Sequence, residues 1–167
     1  MRGTNSQGKV VPPLRVYVDS SVFGGCFEQE FAEGSRRFFD FVRGGRIVVL
    51  LSDFVIDELK EAPSHVQAVL TGLPKETVVQ VEMTVEAARL RDRYLGSRIL
   101  GQRSAVDAMH VALATVIRAD AIVSWNFRHI VHVDKMRRFN EVNLSTGYGP
   151  LTIASPNEVR FEDDEQD

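Results

Sequence analysis

The sequence has little cysteine, no long apolar run and no low-complexity segment away from its ends, and each shortage excludes something. Cys26 is the only cysteine in 167 residues, so an intrachain disulfide and a cysteine-based zinc site are both ruled out. Its thiol reads as a small packed hydrophobe. No apolar run reaches the roughly 20 residues that cross a bilayer, so no membrane association is expected. Residues 1–13 lack the apolar core of a signal peptide; they read as a disordered lead, with a cytoplasmic location as the expectation. Residues 162–167 contain no base and five acids, and they account for the net charge of −3. Without them the chain carries 20 bases against 18 acids. A body so near neutrality neither requires nor excludes a nucleic-acid partner. The tail, 161–167, reads as acidic, solvated and disordered.

What remains, 14–160, fits one domain with a sizeable core. The hydrophobic content of 44% and charged content of 26% are those of an ordinary globular chain. Strands are expected at 14–18, 46–51, 77–81, 121–125 and 151–153 from their alternating or continuous apolar runs. Between them lie helical patterns at 36–42, after Ser52 or Asp53 as far as Pro63, at 63–73, from Thr84 to about Leu100 with Gly101 ending it, at 104–117, and at 135–140. Strands that alternate with helices predict an α/β class with a parallel sheet covered on both faces.

The stretch 104–117 organises the chain. From Ala105 to Ile117 the only side chain certainly charged at pH 7 is Asp107. A helix apolar on nearly every side is buried, and a buried carboxylate needs a partner. One reading is a capping box, with Ser104 at the N-cap and Asp107 at N3. The other is a metal ligand that needs further carboxylates brought close by the fold. In parallel α/β sheets ligands bind beyond the carboxyl ends of the strands. Asp19 follows the first strand, Glu58 lies on the helix after the second, and Asn126 follows the fourth. Carboxylates gathered at one edge repel unless a cation compensates. Oxygen-only ligation favours Mg²⁺ or Mn²⁺, which polarise a phosphodiester and lower the pKa of a bound water.

Each residue also has a plainer reading. Asp19 could cap the next helix, Glu58 could be a solvated face residue near Lys60, and Asn126 a turn residue. Asp57, beside Glu58, is expected on the solvent side. His110, one turn after Asp107, reads as a satisfied, partly buried histidine. The basic segment 128–138 could hold an RNA backbone through Arg128 and Lys135, or be a solvated helix. The arginines between 89 and 103 read as a solvated face.

The strings YVDSSV (17–22), VIDEL (55–59), DAMHVALA (107–114) and SWNFRHI (124–130) resemble, in order, the successive motifs of PIN domains, and most of all the bacterial VapC-type toxins. The resemblance runs over about 14–159. It implies a three-layer α/β/α fold with about five parallel strands in the order 3-2-1-4-5. It also implies that Asp19, Glu58 and Asp107 form an acidic cluster binding Mg²⁺ or Mn²⁺. The implied activity is endonucleolytic cleavage of single-stranded RNA, with a cognate antitoxin and a homodimer as partners. On this reading Asp19 and Asp107 hold the ion, Glu58 binds it through water, and Asn126 positions the attacking water or a phosphate oxygen. The family often has Asp where this chain has Asn126. One charge fewer weakens metal binding, which keeps open a PIN-like module that binds RNA or an antitoxin with little or no catalysis.

Overall fold

The computed structural model describes residues 3–4 and 7–164. Five strands form one sheet: β1 (Leu14–Val18), β2 (Ile47–Ser52), β3 (Val78–Val81), β4 (Ala121–Val123) and β5 (Thr152–Ala154). Their order is β3-β2-β1-β4-β5, and every neighbouring pair is parallel. This is the expected topology. Among the described residues seven α-helices accompany them: α1 (Ser20–Gly25), α2 (Ala32–Arg43), α3 (Asp53–Lys60), α4 (Ser64–Thr71), α5 (Val85–Gly96), α6 (Ala105–Val116) and α7 (Val133–Ser145).

The three layers follow from the two-residue period of a strand. Tyr17, Leu50 and Ile122 point to one face and pack with residues of α5, α6 and α7. Val16, Val18, Val49, Leu51 and Val123 point to the other, against α1 to α4. Strands covered on both sides need the continuous apolar run that β2 shows. Within α6 every residue from Ala108 to Thr115 is buried, as its near-absence of charge requires. No helix among the described residues is long and apolar enough to cross a membrane.

Several boundaries differ from expectation for physical reasons. Ser52 caps α3 by accepting from the Val55 N–H at 3.3 Å, and Thr84 caps α5 through the Ala87 N–H at 3.0 Å. α5 nevertheless stops at Gly96 rather than near Leu100. Arg98 takes the left-handed conformation, φ +57°, and the chain reverses. The reversal lets Ile99 and Leu100 enter the core, which the face carrying Ala87, Leu90 and Tyr94 could not do. α2 and α7 also extend beyond their apolar signal: α2 begins earlier, where Gly34 and Ser35 are buried, and α7 runs on past buried Asn143.

Parts of both ends carry structure. Gly3–Thr4 pairs with Val10–Val11 as a short antiparallel hairpin. Residues Glu162–Asp164 form a 3₁₀ turn, where Arg46 meets Asp163 at 3.7 Å and Asp164 at 2.9 Å and lies 3.8 Å from the Phe161 ring centre. The rest of the lead and tail, residues 1–2, 5–6 and 165–167, falls outside the described residues.

Trp125, just after β4, sits where two glycines make room. A Cβ on Gly25 would lie 2.6 Å from the indole nitrogen, and one on Gly34 would lie 2.9 Å from the ring and 2.4 Å from the Asn157 amide oxygen. The indole N–H donates to Ser35 Oγ at 2.9 Å. Gly25→Ala is therefore expected to displace the ring and destabilise the protein by about 1–3 kcal/mol, the usual range for overpacking. Denaturant unfolding checks it, and an unchanged midpoint would show that the ring has slack.

Candidate active site

The strand order reverses between β1 and β4, and the crevice beyond their carboxyl ends is the favoured ligand position of such a sheet. Asp19 leaves β1 there, and Ser124, Trp125 and Asn126 leave β4. Asp19 occupies the N-cap position of α1, yet its side chain makes no capping bond. Its carboxylate instead accepts from Ser21 Oγ at 2.5 Å and from Ser124 Oγ at 2.6 Å. The side chain is only 7% exposed. Burial pushes its pKa above the ordinary carboxylate value; the hydroxyls of Ser124 and Ser21 pull it partly back, and His110 adds a smaller pull.

Glu58 projects from α3 and accepts a hydrogen bond from the Ser20 hydroxyl at the start of α1. Lys60 pairs with Asp57 instead, at 3.4 Å, and Asp57 is exposed, as expected. Glu58 is exposed as well, so the solvated-face reading holds for its position but misses its tie to Ser20, the residue next to Asp19.

Asp107 does not cap its helix. Ser104 makes no side-chain capping bond and lies 3.4 Å from His129 Nδ1. Asp107 Oδ1 accepts from Asn126 Nδ2 at 3.2 Å, and Oδ2 meets His129 Nδ1 at 2.9 Å. The Asn126 amide oxygen accepts from the His129 N–H at 2.9 Å, which fixes the amide so that its nitrogen faces Asp107. The Asn126 N–H in turn donates to Ser124 Oγ at 2.9 Å. A continuous chain of hydrogen bonds therefore runs from Asp19 through Ser124 and Asn126 to Asp107. Ser21 adds a second tie by accepting from the Trp125 N–H at 3.0 Å.

The structure thus brings Asp19, Asp107 and Asn126 into one network, with Glu58 tethered beside it. His110 is buried and shares a 2.7 Å hydrogen bond with the Tyr17 hydroxyl, the satisfied histidine expected. Burial pushes the Tyr17 phenol up. Lys135 does not extend freely to solvent, because its ammonium donates to the Arg128 carbonyl at 2.6 Å; Arg128 itself is exposed. Sequence reasoning gave no role to His129 and none to Ser20 and Ser21. The two serines directly follow Asp19 and were a readable signal. The contact of His129 with Asp107 depends on the turn geometry, which no spacing rule gives.

The donor chemistry fits a hard divalent cation. Asp19, Glu58, Asp107 and the flanking hydroxyls offer oxygen alone. Of the ion pairs among the described residues, only His129–Asp107 reaches the site, so Asp19 is a buried carboxylate without a basic partner in contact. Among the described residues no three His, Cys, Asp or Glu side chains are arranged to hold one ion. Mg²⁺ needs no such cage, since it keeps several waters and takes one or two carboxylates together with substrate phosphates.

No family model and no curated protein matches this sequence. Solved structures do. One is VapBC2 from Rickettsia felis, bound to a DNA fragment from their promoter. It is 10% identical, with a TM-score of 0.55, over 85% of this chain and 98% of that one. Another is the Mycobacterium tuberculosis toxin VapC20, named as cleaving the sarcin-ricin loop. It is 14% identical, with a TM-score of 0.48, over 81% and 98% of the two chains. The first likeness shows the fold: this chain has the PIN-like three-layer α/β/α architecture.

Proposed function

We propose that the chain is a metal-dependent endoribonuclease acting on single-stranded RNA, the toxin of a type II toxin–antitoxin pair working in the cytoplasm as a homodimer. The observation that carries this reading is Asp19. A buried carboxylate with no basic contact at the switch point of a parallel sheet, tied through hydroxyls and an amide to a second carboxylate, is costly unless a cation joins it. The fold shared with a VapC-type toxin structure supports the toxin assignment and a cognate antitoxin partner.

Asp19 and Asp107 would hold one Mg²⁺ or Mn²⁺, with Glu58 reaching it through water. The ion would neutralise the carboxylates and polarise the phosphodiester. Ser21 and Ser124 fix both Asp19 oxygens. Ser20 engages one oxygen of Glu58, which leaves the other to orient the attacking water. Asn126 holds Asp107 with one N–H of its amide and is held by His129 through its oxygen, which leaves the second amide N–H to position a water or a phosphate oxygen.

One observation favours the second reading, a binding module without catalysis. Both Asp107 oxygens already accept from donors, Asn126 and His129, and Asn126 brings no charge. Asp107→Asn separates the two. The variant should keep its fold and lose at least about a hundredfold in metal-dependent RNA cleavage; turnover equal to wild type would sink the assignment.

A further inference from the structure

The turn that holds Asp107 points its two middle residues outward. Asn126 and His129 face Asp107, and the Ile130 and Val131 N–H groups close the turn on the Asn126 carbonyl at 3.1 and 2.8 Å. Between them Phe127 and Arg128 face solvent, with Phe127 48% exposed. Of the exposed phenylalanines among the described residues, Phe27, Phe54 and Phe127, Phe127 is the one adjoining Asn126. Its ring is braced from behind: Trp125 lies edge-on at 6.1 Å, Phe31 lies tilted at 6.4 Å, and Phe31 and Trp125 stack on each other at 4.4 Å. Trp125 is itself wedged against Gly25 and Gly34, and about half of the Phe127 side chain remains open to solvent.

We propose that Phe127 is a base-stacking platform, with Arg128 beside it taking the adjoining phosphate, that sets which phosphodiester of a single-stranded RNA lies over the carboxylates. This rests on the ribonuclease reading above. The ring offers a π-face to any base, and base–aromatic stacking is the usual device for holding single strands. The charge pattern sets the direction of the strand. Arg128 is exposed and forms no ion pair among the described residues, and the same holds for Arg103. Arg103 precedes Ser104, which lies against His129. On the other side, Phe31 is flanked by Glu28, Glu30 and Glu33, all exposed. A polyanion placed on Phe127 is therefore drawn toward Arg128 and Arg103 and away from the acidic residues Glu28, Glu30 and Glu33. A protein partner on the ring would need no such gradient beside the carboxylates.

The test is binding of a fluorescein-labelled ten-nucleotide RNA of mixed sequence, in chelator so that nothing is cut, beside an abasic ribose-phosphate oligomer of equal length. Phe127→Ala should weaken RNA binding roughly tenfold and leave the abasic oligomer unaffected, and Phe127→Trp should restore it. Arg128→Ala should weaken both ligands and reduce the salt slope by about one. Phe127→Ala binding RNA as wild type does overturns the platform, as does an equal loss for both oligomers or an effect on self-association alone. Wild-type protein that binds neither oligomer, in chelator or with Ca²⁺ present, overturns the single-stranded RNA reading and the platform with it. Wild type that binds the RNA while Phe127→Ala is unchanged overturns the platform only.

Discussion

Asp19→Asn is expected to melt at a higher temperature than the wild type at pH 7 in chelator, while losing cleavage. Burial raises the Asp19 pKa in the folded protein. From its ordinary value near 3.8 upward to the raised value, the folded state therefore holds more proton than the unfolded chain. Stability falls as pH rises through that window, and above it the full penalty remains. Asparagine removes the charge yet still offers an oxygen to the Ser124 hydroxyl. Each kcal/mol relieved should appear as a rise of roughly 2–4 °C in a domain of this size. Added Mn²⁺ should invert the order. At a hundred times its dissociation constant a ligand stabilises by about 2.7 kcal/mol, and only the wild type retains the full site. Thermal unfolding from pH 4 to pH 8, with and without Mn²⁺, checks both halves. A variant that melts below the wild type in chelator would mean that Asp19 is a structural anchor.

Asn126→Asp should add the charge that the resemblance to PIN domains leads one to expect at this position. The new carboxylate would stand where the amide nitrogen now donates to Asp107 at 3.2 Å, so the bond becomes a repulsion. In chelator the variant should lose several degrees of melting temperature. Opposite charge at short range is worth kcal/mol even at a protein surface, so divalent-ion affinity should rise roughly tenfold or more, and cleavage with it. The His129 N–H keeps an oxygen acceptor, so the turn itself should hold. Calorimetric Mn²⁺ titration of the two proteins is the check. Equal affinities would place the ion away from Asp107 and strengthen the reading of a module without catalysis.

Sequence patterns carried the fold well because the sheet is parallel and covered on both faces. The apolar run of β2 and the alternation of β1 each had one physical outcome, and the strand–helix rhythm left few topologies. Helix ends were less legible. α5 looked longer because arginines continue its polar side, while the turn at Arg98 is set by the core's need for Ile99 and Leu100. At the site, strand-end position singled out Asp19 and Asn126, and the lone charge of a buried helix singled out Asp107. Glu58 was harder, since on sequence alone it is one acid among several on an exposed helix. The contact of His129 with Asp107 needed the turn geometry, and the engagement of Lys135 with the Arg128 carbonyl needed the start of α7. Phe127 carried no signal as a sequence letter; its exposure and its bracing by Trp125 and Phe31 exist only in three dimensions.

In the function proposed above, the carboxylate network cuts RNA with a divalent ion. The most direct measurement is cleavage of a mixed single-stranded RNA pool by pure, folded protein in Mg²⁺, in Mn²⁺ and in chelator, with Asp19→Asn alongside. Cutting that needs the ion and disappears in the variant is the predicted result. Intact RNA in every condition, or cutting that survives in chelator or in the variant, would contradict it.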